Sequence, residues 1–394
     1  EYVVFASAVA PSQIYRKNTI TGHIEPVSTT SDNTTLADGP CADPRISDTG
    51  RYVVFTSTAS NLDSTITNTG GFSHVYLKDM RNGTISLLDK SITNIGEAGN
   101  GHSYNPDISG IPDVGSGKYV VFQSNANDLH AGDTDATATN ADTDIFLVNV
   151  VSGNVELISV DSSEIKGNGV SSQPRVSNDG NRVVFESMAT NLVVGDTNTK
   201  SDIFLRNLVT DTTTRLSVDS DENQVTGGPV GSTNADISAD GLFAVYQSDQ
   251  HLDGDTNGYI IDIFLRDIDG TTTAILSFAE DGSDADAASV SPSISGNGRY
   301  IAFESLATTL LGVDNIGVGL DTNGQSDVFV RDKNSSTIER VSLDNLGAQA
   351  NDASTDAVIS ADGRYVSFTT REPFDATDFP STYDIYRAYN AALP

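Results

Sequence analysis

A short apolar strand ending in an aromatic recurs seven times along the chain: YVVFAS, YVVFTS, YVVFQS, RVVFES, FAVYQS, YIAFES and YVSFTT. The aromatic falls at Phe5, Phe55, Phe122, Phe185, Tyr246, Phe303 and Phe368. Such self-similarity constrains a chain more than composition does, because each copy is one supersecondary unit that cannot bury its apolar face alone. The copies are unevenly spaced, which implies a constant core carrying loops of variable length.

A second strand follows each aromatic one: QIYRK (13–17), HVYLKD (74–79), DIFLVN (144–149), DIFLRN (202–207), DIFLRD (262–267), DVFVRD (327–332) and DIYRAY (384–389). A third element ends in Ser or Asp, as in TISLLD (84–89), NVELIS (154–159), TTRLS (213–217) and TIERVS (337–342). A fourth leads into the next aromatic strand: DPRIS (43–47), NPDIS (105–109), QPRVS (173–177), NADIS (234–238), SPSIS (291–295) and DAVIS (356–360). Each is short, rich in β-branched or aromatic residues, and bounded by turn residues. The connection S-x-D-G, as in Ser177-Asn178-Asp179-Gly180, supplies a glycine able to take the positive φ of a short hairpin.

Helical periodicity is nowhere evident. Four short antiparallel strands repeated seven times over 394 residues fit an all-β, seven-bladed β-propeller, which manages its sheet edges by radial repetition. The blades are expected near 1–42, 43–104, 105–172, 173–233, 234–290, 291–355 and 356–394, as one domain. The first and last each look one strand short. A trimmed domain of a longer chain explains this, with flanking domains outside the sequence; strand exchange with another chain is the alternative, since an open edge is a template for pairing.

The run S-x-D-G-R-Y-x-x-F-x-S-x-A-x-N-L…G-D-T-N…D-I-F-L-R-D, clearest from Ser177 to Asn207, resembles the WD40-like repeats of the TolB propeller type, common in secreted and cell-surface bacterial proteins. The resemblance covers almost the whole chain and implies the propeller fold and an extracellular, cell-surface or periplasmic location. It does not name an activity, because the scaffold hosts many. The W-D dipeptide of eukaryotic repeats is absent and Trp is zero.

The formal charge is −32, carried by 43 Asp and only 11 Glu. Clustered Lys/Arg is what nucleic acid and anionic membranes require, so neither is an expected partner. No apolar run reaches the ~18 residues of a membrane span. The sequence opens inside an apparent strand, EYVVFAS, with no visible targeting signal, and the single Cys41 excludes an internal disulfide. Asp favours turns and loop ligand positions, and here much of it sits in copies of one loop between the aromatic strand and the DIFLRD strand.

Those loops are the candidate sites. Repeat four has Asp196, Asn198 and Asp202; repeat five Asp255, Asn257 and Asp262; repeat six Asp321, Asn323 and Asp327; repeat three Asp133 and Asp135, with Asp142 and Asp144 downstream. Paired oxygen ligands at D-x-[ND], closed by a later Asp, suit calcium. Asx-turns that hold the loop without metal are the competing reading. Repeat one lacks the pattern, repeat two has Thr67-Asn68-Thr69 and His74 instead, and repeat seven keeps Asp375, Asp378 and Asp384 in altered spacing.

Catalytic signatures are absent: no G-x-S-x-G, phosphate loop or HExxH occurs. Ser57, Ser124, Ser187, Ser248 and Ser305 are copies of one position, which favours a structural hydroxyl over a nucleophile. His23, His74, His102, His130 and His251 are expected in surface or loop positions. Arg206, Arg266 and Arg331 with Asp267 and Asp332 suggest pairing between blades. The expected role is a non-enzymatic, calcium-stabilised binding or structural module with a protein or glycan partner. The alternatives are a propeller polysaccharide lyase or glycoside hydrolase, and a surface-assembly subunit completed by strand exchange. Non-repeated His102, Tyr104, Lys118, Tyr259 and Tyr383 would mark an enzyme if they met at one place.

Overall fold

The computed structural model describes residues 2–68, 71–110, 118–135, 143–312, 321–344, 346–374 and 383–390. These form 26 β-strands, and among the described residues no helix is long and apolar enough to cross a membrane. The strands make seven antiparallel sheets, the blades of a seven-bladed β-propeller. Blades 2 to 6 have four strands, whereas blades 1 (Tyr2–Pro26) and 7 (Ser354–Tyr389) have three. The chain divides into two compact units, residues 1–196 with 204–214, and 197–203 with 215–394. Blades 1 to 3 belong to the first unit and blades 5 to 7 to the second; the division falls within blade 4.

Blade 5 illustrates the unit. Its strands are Ser232–Ile237, Phe243–Ser248, Asp262–Asp267 and Thr272–Ile275, paired in sequence order. The two inner strands are buried along most of their length. Val245, Ile263 and Leu265 join Ile301, Phe303 and Phe329 of blade 6 in one apolar cluster. Burial on both faces explains why these strands read as continuous apolar runs rather than alternating ones. The repeated aromatic lies opposite a second aromatic on the next strand: Tyr246 opposes Phe264, with ring centroids 6.1 Å apart at 26°. Phe185–Phe204 (5.9 Å, 26°) and Phe303–Phe329 (6.1 Å, 27°) repeat the stack. Ring pairs of this kind add about 0.5–1.5 kcal/mol beyond area burial.

The first strand of each four-stranded blade begins two residues earlier than the sequence pattern suggests. In blade 4 it spans Ser171–Val176, and a register shift between Ser172 and Arg175 marks a bulge at Gln173, whose φ is 52°. Asp43, Asn105, Asn234 and Ser291 hold the same left-handed conformation in blades 2, 3, 5 and 6. A bulge breaks the two-residue alternation, so a reading based on alternation starts only after it.

The S-x-D-G turn is built as its residues dictate. Ser177 Oγ donates to Asp179 Oδ1 (2.7 Å) and accepts the Arg182 N–H (3.1 Å), while the Gly180 N–H reaches Ser177 O (2.9 Å). Gly180 has φ +75°, and a Cβ there would come within 2.0 Å of Tyr119 Cδ2. Gly180→Ala is therefore expected to cost about 1–3 kcal/mol from strained backbone and a displaced ring. Urea unfolding of the variant checks this, and an unchanged midpoint would contradict it.

Candidate functional site

The acidic loops share one frame. The Asp opening the third strand is fixed by a Ser at the end of the fourth: Ser159 Oγ donates to Asp144 Oδ1, Ser217 to Asp202, Ser277 to Asp262 and Ser342 to Asp327, each at 2.6 Å. The same Ser accepts the N–H of the following residue, as Ser277 does from Ile263 (2.9 Å). This leaves each Oδ2 facing the loop. All four Asp are buried, so the identity of what meets Oδ2 decides the site's chemistry.

In blade 3 the partner is a lysine. Lys166 Nζ lies 2.9 Å from both Asp135 Oδ1 and Asp144 Oδ2. Asp133, Asp135 and Asp144 are the one group of three acids among the described residues whose oxygens all lie within 4.8 Å of one another. The geometry that would hold a cation thus already holds an ammonium. Burial still pushes the Asp144 carboxyl up to about 6, and burial with the nearby Asp135 raises Asp133. Asp142 lies outside the described residues.

Blade 6 uses a guanidinium and an amide. Arg340 Nη1 lies 3.3 Å from Asp327 Oδ2 and 3.7 Å from Asp321 Oδ1. Gln349 Nε2 donates to both acids, at 3.0 Å to Asp327, and Asn323 Nδ2 adds a contact to Asp327 at 3.3 Å. Blade 4 is similar. Asp202 Oδ2 accepts from Asn198 Nδ2 (3.0 Å) and Gln224 Nε2 (3.4 Å), with Arg215 Nη1 at 3.7 Å. Asp196, in the first unit, is half-buried.

Blade 5 differs. Ile275 stands where Arg215 and Arg340 stand, two residues before the fourth-strand Ser, and Asp284 stands where Lys166, Gln224 and Gln349 stand, seven after it. Among the described residues no Lys or Arg pairs with Asp255 or Asp262. Asn257 Nδ2 donates to Asp262 Oδ2 (2.9 Å), which leaves Asn257 Oδ1 and Asp255 Oδ2 buried without a hydrogen-bond partner. The nearest base is half-exposed His251, whose Nδ1 is 3.8 Å from Asp255 Oδ2. Asp284 Oδ2 accepts the Thr256 hydroxyl and N–H, the latter at 3.2 Å. Burial pushes Asp262 up to about 6, with Asp255 and Asp284 adding repulsion, and burial raises Asp255. Among the described residues, Asp255 and Asp262 are thus buried acids that no Lys or Arg meets.

Asp375 and Asp378 of repeat seven, and Thr69 of repeat two, lie outside the described residues. The repeated serines are struts: Ser187 Oγ donates to Val170 O (3.2 Å), and Ser57, Ser124 and Ser305 donate to the matching carbonyls of their blades. The repeated arginines tie neighbouring blades through other partners than expected. Arg206 pairs with Glu164 and Arg266 with Glu222, while Arg331 donates to Leu276 O (3.0 Å) and to Phe278 O. Asp332 instead binds Arg299 of its own blade (2.7 Å), and Asp267 caps the turn at Gly270 (2.7 Å). The loop position five residues after the fourth-strand Ser is Glu164 for Arg206 and Glu222 for Arg266, but Gly282 for Arg331.

His74 is a correction. It is not a loop residue but a buried one, opening the third strand of blade 2 at the position of Asp144 and Asp262. Its partner is Asp89, at the position the other blades give to Ser. Lys118, Tyr259 and Tyr383 are dispersed. Lys118 sits over the Tyr52 ring (3.5 Å), Tyr259 beside His251 (5.1 Å) and Tyr383 under Arg371 (4.2 Å). His102 and Tyr104 do meet, stacked at 5.6 Å, with Phe72 against the His102 ring at 5.0 Å.

Repeated four-stranded blades, inner strands buried on both faces and an acidic loop in each central blade define a β-propeller. Its solved likenesses agree. The β-propeller domain of the Trilobed protease from Pyrococcus furiosus superposes with a TM-score of 0.54 at 11% identity, covering 99% of this chain and 89% of that one. An oligogalacturonate lyase in complex with manganese gives 0.55 at 12% identity, covering 98% and 85%. TolB from Acinetobacter baumannii gives 0.46 at 14% identity; the match covers 86% of this chain and spans 63% of the TolB chain. No protein-family model and no curated protein matches the sequence.

Proposed function

We propose that the protein is a binding or structural scaffold, extracellular, cell-surface or periplasmic, whose blade 5 loop takes up a divalent cation, with calcium the best fit. The observation that carries the cation is the pair of buried, unpartnered acceptors, Asp255 Oδ2 and Asn257 Oδ1, beside Asp262. Calcium accepts six to eight oxygens in flexible geometry, so two carboxylates and an amide completed by water suit it better than magnesium's rigid octahedron. The scaffold reading is supported by the repeated hydroxyls, which are spent on blade carbonyls rather than directed at a substrate. Its partner is expected to be protein or glycan.

Calcium at about a hundred times its dissociation constant is expected to stabilise the protein by ~2.7 kcal/mol, raising Tm against a chelator control. Asp255→Asn should abolish the response. A wild-type Tm indifferent to calcium, with no heat of binding, would sink the proposal.

A second reading, a propeller enzyme acting on polysaccharide, draws on the non-repeated cluster of Phe72, His74, His102 and Tyr104 and on the fold shared with an oligogalacturonate lyase. Screening acidic and neutral polysaccharides for new reducing ends or unsaturated products decides it. Depolymerisation lost in His74→Gln would replace the scaffold reading.

A further inference from the structure

Blade 2 inverts the frame of its siblings. Where they pair a strand-opening Asp with a Ser, it pairs His74 with Asp89. Asp89 Oδ2 accepts His74 Nδ1–H (2.8 Å) and the Ser103 hydroxyl (2.7 Å), and Oδ1 accepts the Val75 N–H (3.0 Å). In the neutral imidazole this contact sets the ring proton on Nδ1, facing the carboxylate, and leaves Nε2 as the acceptor. His74 is 1% exposed, and its Nε2 is buried with no hydrogen-bond partner. An orphaned ring nitrogen of this kind is destabilising unless a donor fills it.

That residue lines a cavity of about 130 Å³ shared with Asn68, Phe72, Glu97, Asn100 and Asp128. Asn68 Oδ1 is a second buried acceptor without a donor, since the neighbouring Tyr76 hydroxyl donates to Ala59 O (3.2 Å). Among the described residues the lining contains two carboxylates and no Lys or Arg. Phe72 supplies an aromatic wall, backed by His102 at 5.0 Å. An engineered cavity of about 150 Å³ holds one benzene, so the space suits a ligand of roughly six heavy atoms.

A bare metal ion does not match this set. No three imidazole or carboxylate ligand atoms at this place lie within 4.8 Å of one another among the described residues. The unmet groups are acceptors distributed around a cavity, with acidic charge and an aromatic face. We propose that the blade 2 cavity binds a small organic cation, an amine or amino alcohol, whose N–H or O–H groups donate to His74 Nε2 and Asn68 Oδ1. Positive charge is drawn by Glu97 and Asp128, and the Phe72 face favours it further. This site is independent of the cation chemistry of blade 5.

Ethanolamine is the probe, with glycerol as the uncharged match and zinc chloride as the metal match. Imidazole nitrogen shifts of the full chain, followed by long-range NMR correlation, report His74 directly. The expected result is a saturable shift of His74 Nε2 with ethanolamine and none with glycerol. Glu97→Gln, at an exposed loop position, should weaken it about tenfold, or ~1.4 kcal/mol, with Tm unchanged. An unresponsive His74 would overturn the proposal. So would an equal response to glycerol, which would remove the role of charge, or a zinc response stronger than that of ethanolamine.

Discussion

Replacing Lys166 with Met should make blade 3 dependent on calcium. The wild-type loop holds Asp135 and Asp144 against one ammonium at 2.9 Å each. Removing one partner of a buried pair leaves uncompensated charge, which typically costs about 3–5 kcal/mol. Asp133, Asp135 and Asp144 would then present convergent oxygens with nothing between them. In chelator the variant should unfold at markedly lower denaturant than wild type, and calcium should recover most of the loss.

The loss should also shrink as pH falls. The Asp144 carboxyl is already pushed up to about 6, so between its unfolded value near 3.9 and that pH the native state binds more protons than the unfolded one. Stability contributed by this group therefore decreases as pH rises through that window. Without Lys166 the window widens upward, so the deficit should be larger at pH 7.5 than at pH 5. Urea unfolding at the two pH values, with and without calcium, checks both statements. A variant as stable as wild type in chelator would contradict them.

The second large effect concerns Lys78, a buried lysine in the third strand of blade 2. Its Nζ donates to Thr29 O (3.1 Å), Thr29 Oγ1 (3.0 Å) and Thr30 O (3.0 Å), all uncharged acceptors. Burial lowers the ammonium from its ordinary 10.5 to about 8. Between those values the unfolded chain binds the extra proton, so stability rises with pH through the window and is flat below it. The full gain is at most about 3 kcal/mol, at 1.36 kcal/mol per pH unit. Lys78→Met should remove this slope. At neutral pH the variant trades the relief of a buried charge against three lost hydrogen bonds, although Thr30 O still accepts the Asn33 N–H (3.0 Å). Buried Tyr76 and Tyr246, whose phenols burial raises, lower stability above pH 10 in both proteins and cancel in the difference. Parallel stability curves for wild type and variant between pH 8 and 10.5 would refute the assignment.

Much of this molecule is legible in one dimension. Aromatic strands at Phe55, Phe185 and Phe303, the Ser-x-Asp-Gly turn at Ser177 and the acidic loops are local patterns, and strand periodicity and turn chemistry act over a few residues. Seven blades with three-stranded ends followed from counting them. The first strands run two residues beyond the local alternating pattern, because a bulge at Gln173 and its equivalents interrupts that alternation.

Tertiary structure decided what meets each acidic loop. By sequence, blades 3 to 6 carry equivalent Asp clusters. In space, Lys166 fills one, Arg340 and Gln349 another, Arg215 and Gln224 a third, while Ile275 and Asp284 leave the blade 5 acids with no Lys or Arg among the described residues and only His251 nearby. These partners arrive from the fourth strand and the loop beyond it, 13 to 31 residues from the Asp they meet. The same holds for His74, whose role depends on Asp89 being folded against it. Local pattern fixes where a carboxylate is placed along a strand. Whether it needs a metal depends on the charge that sheet pairing brings to its other oxygen, and that is a property of distance in space.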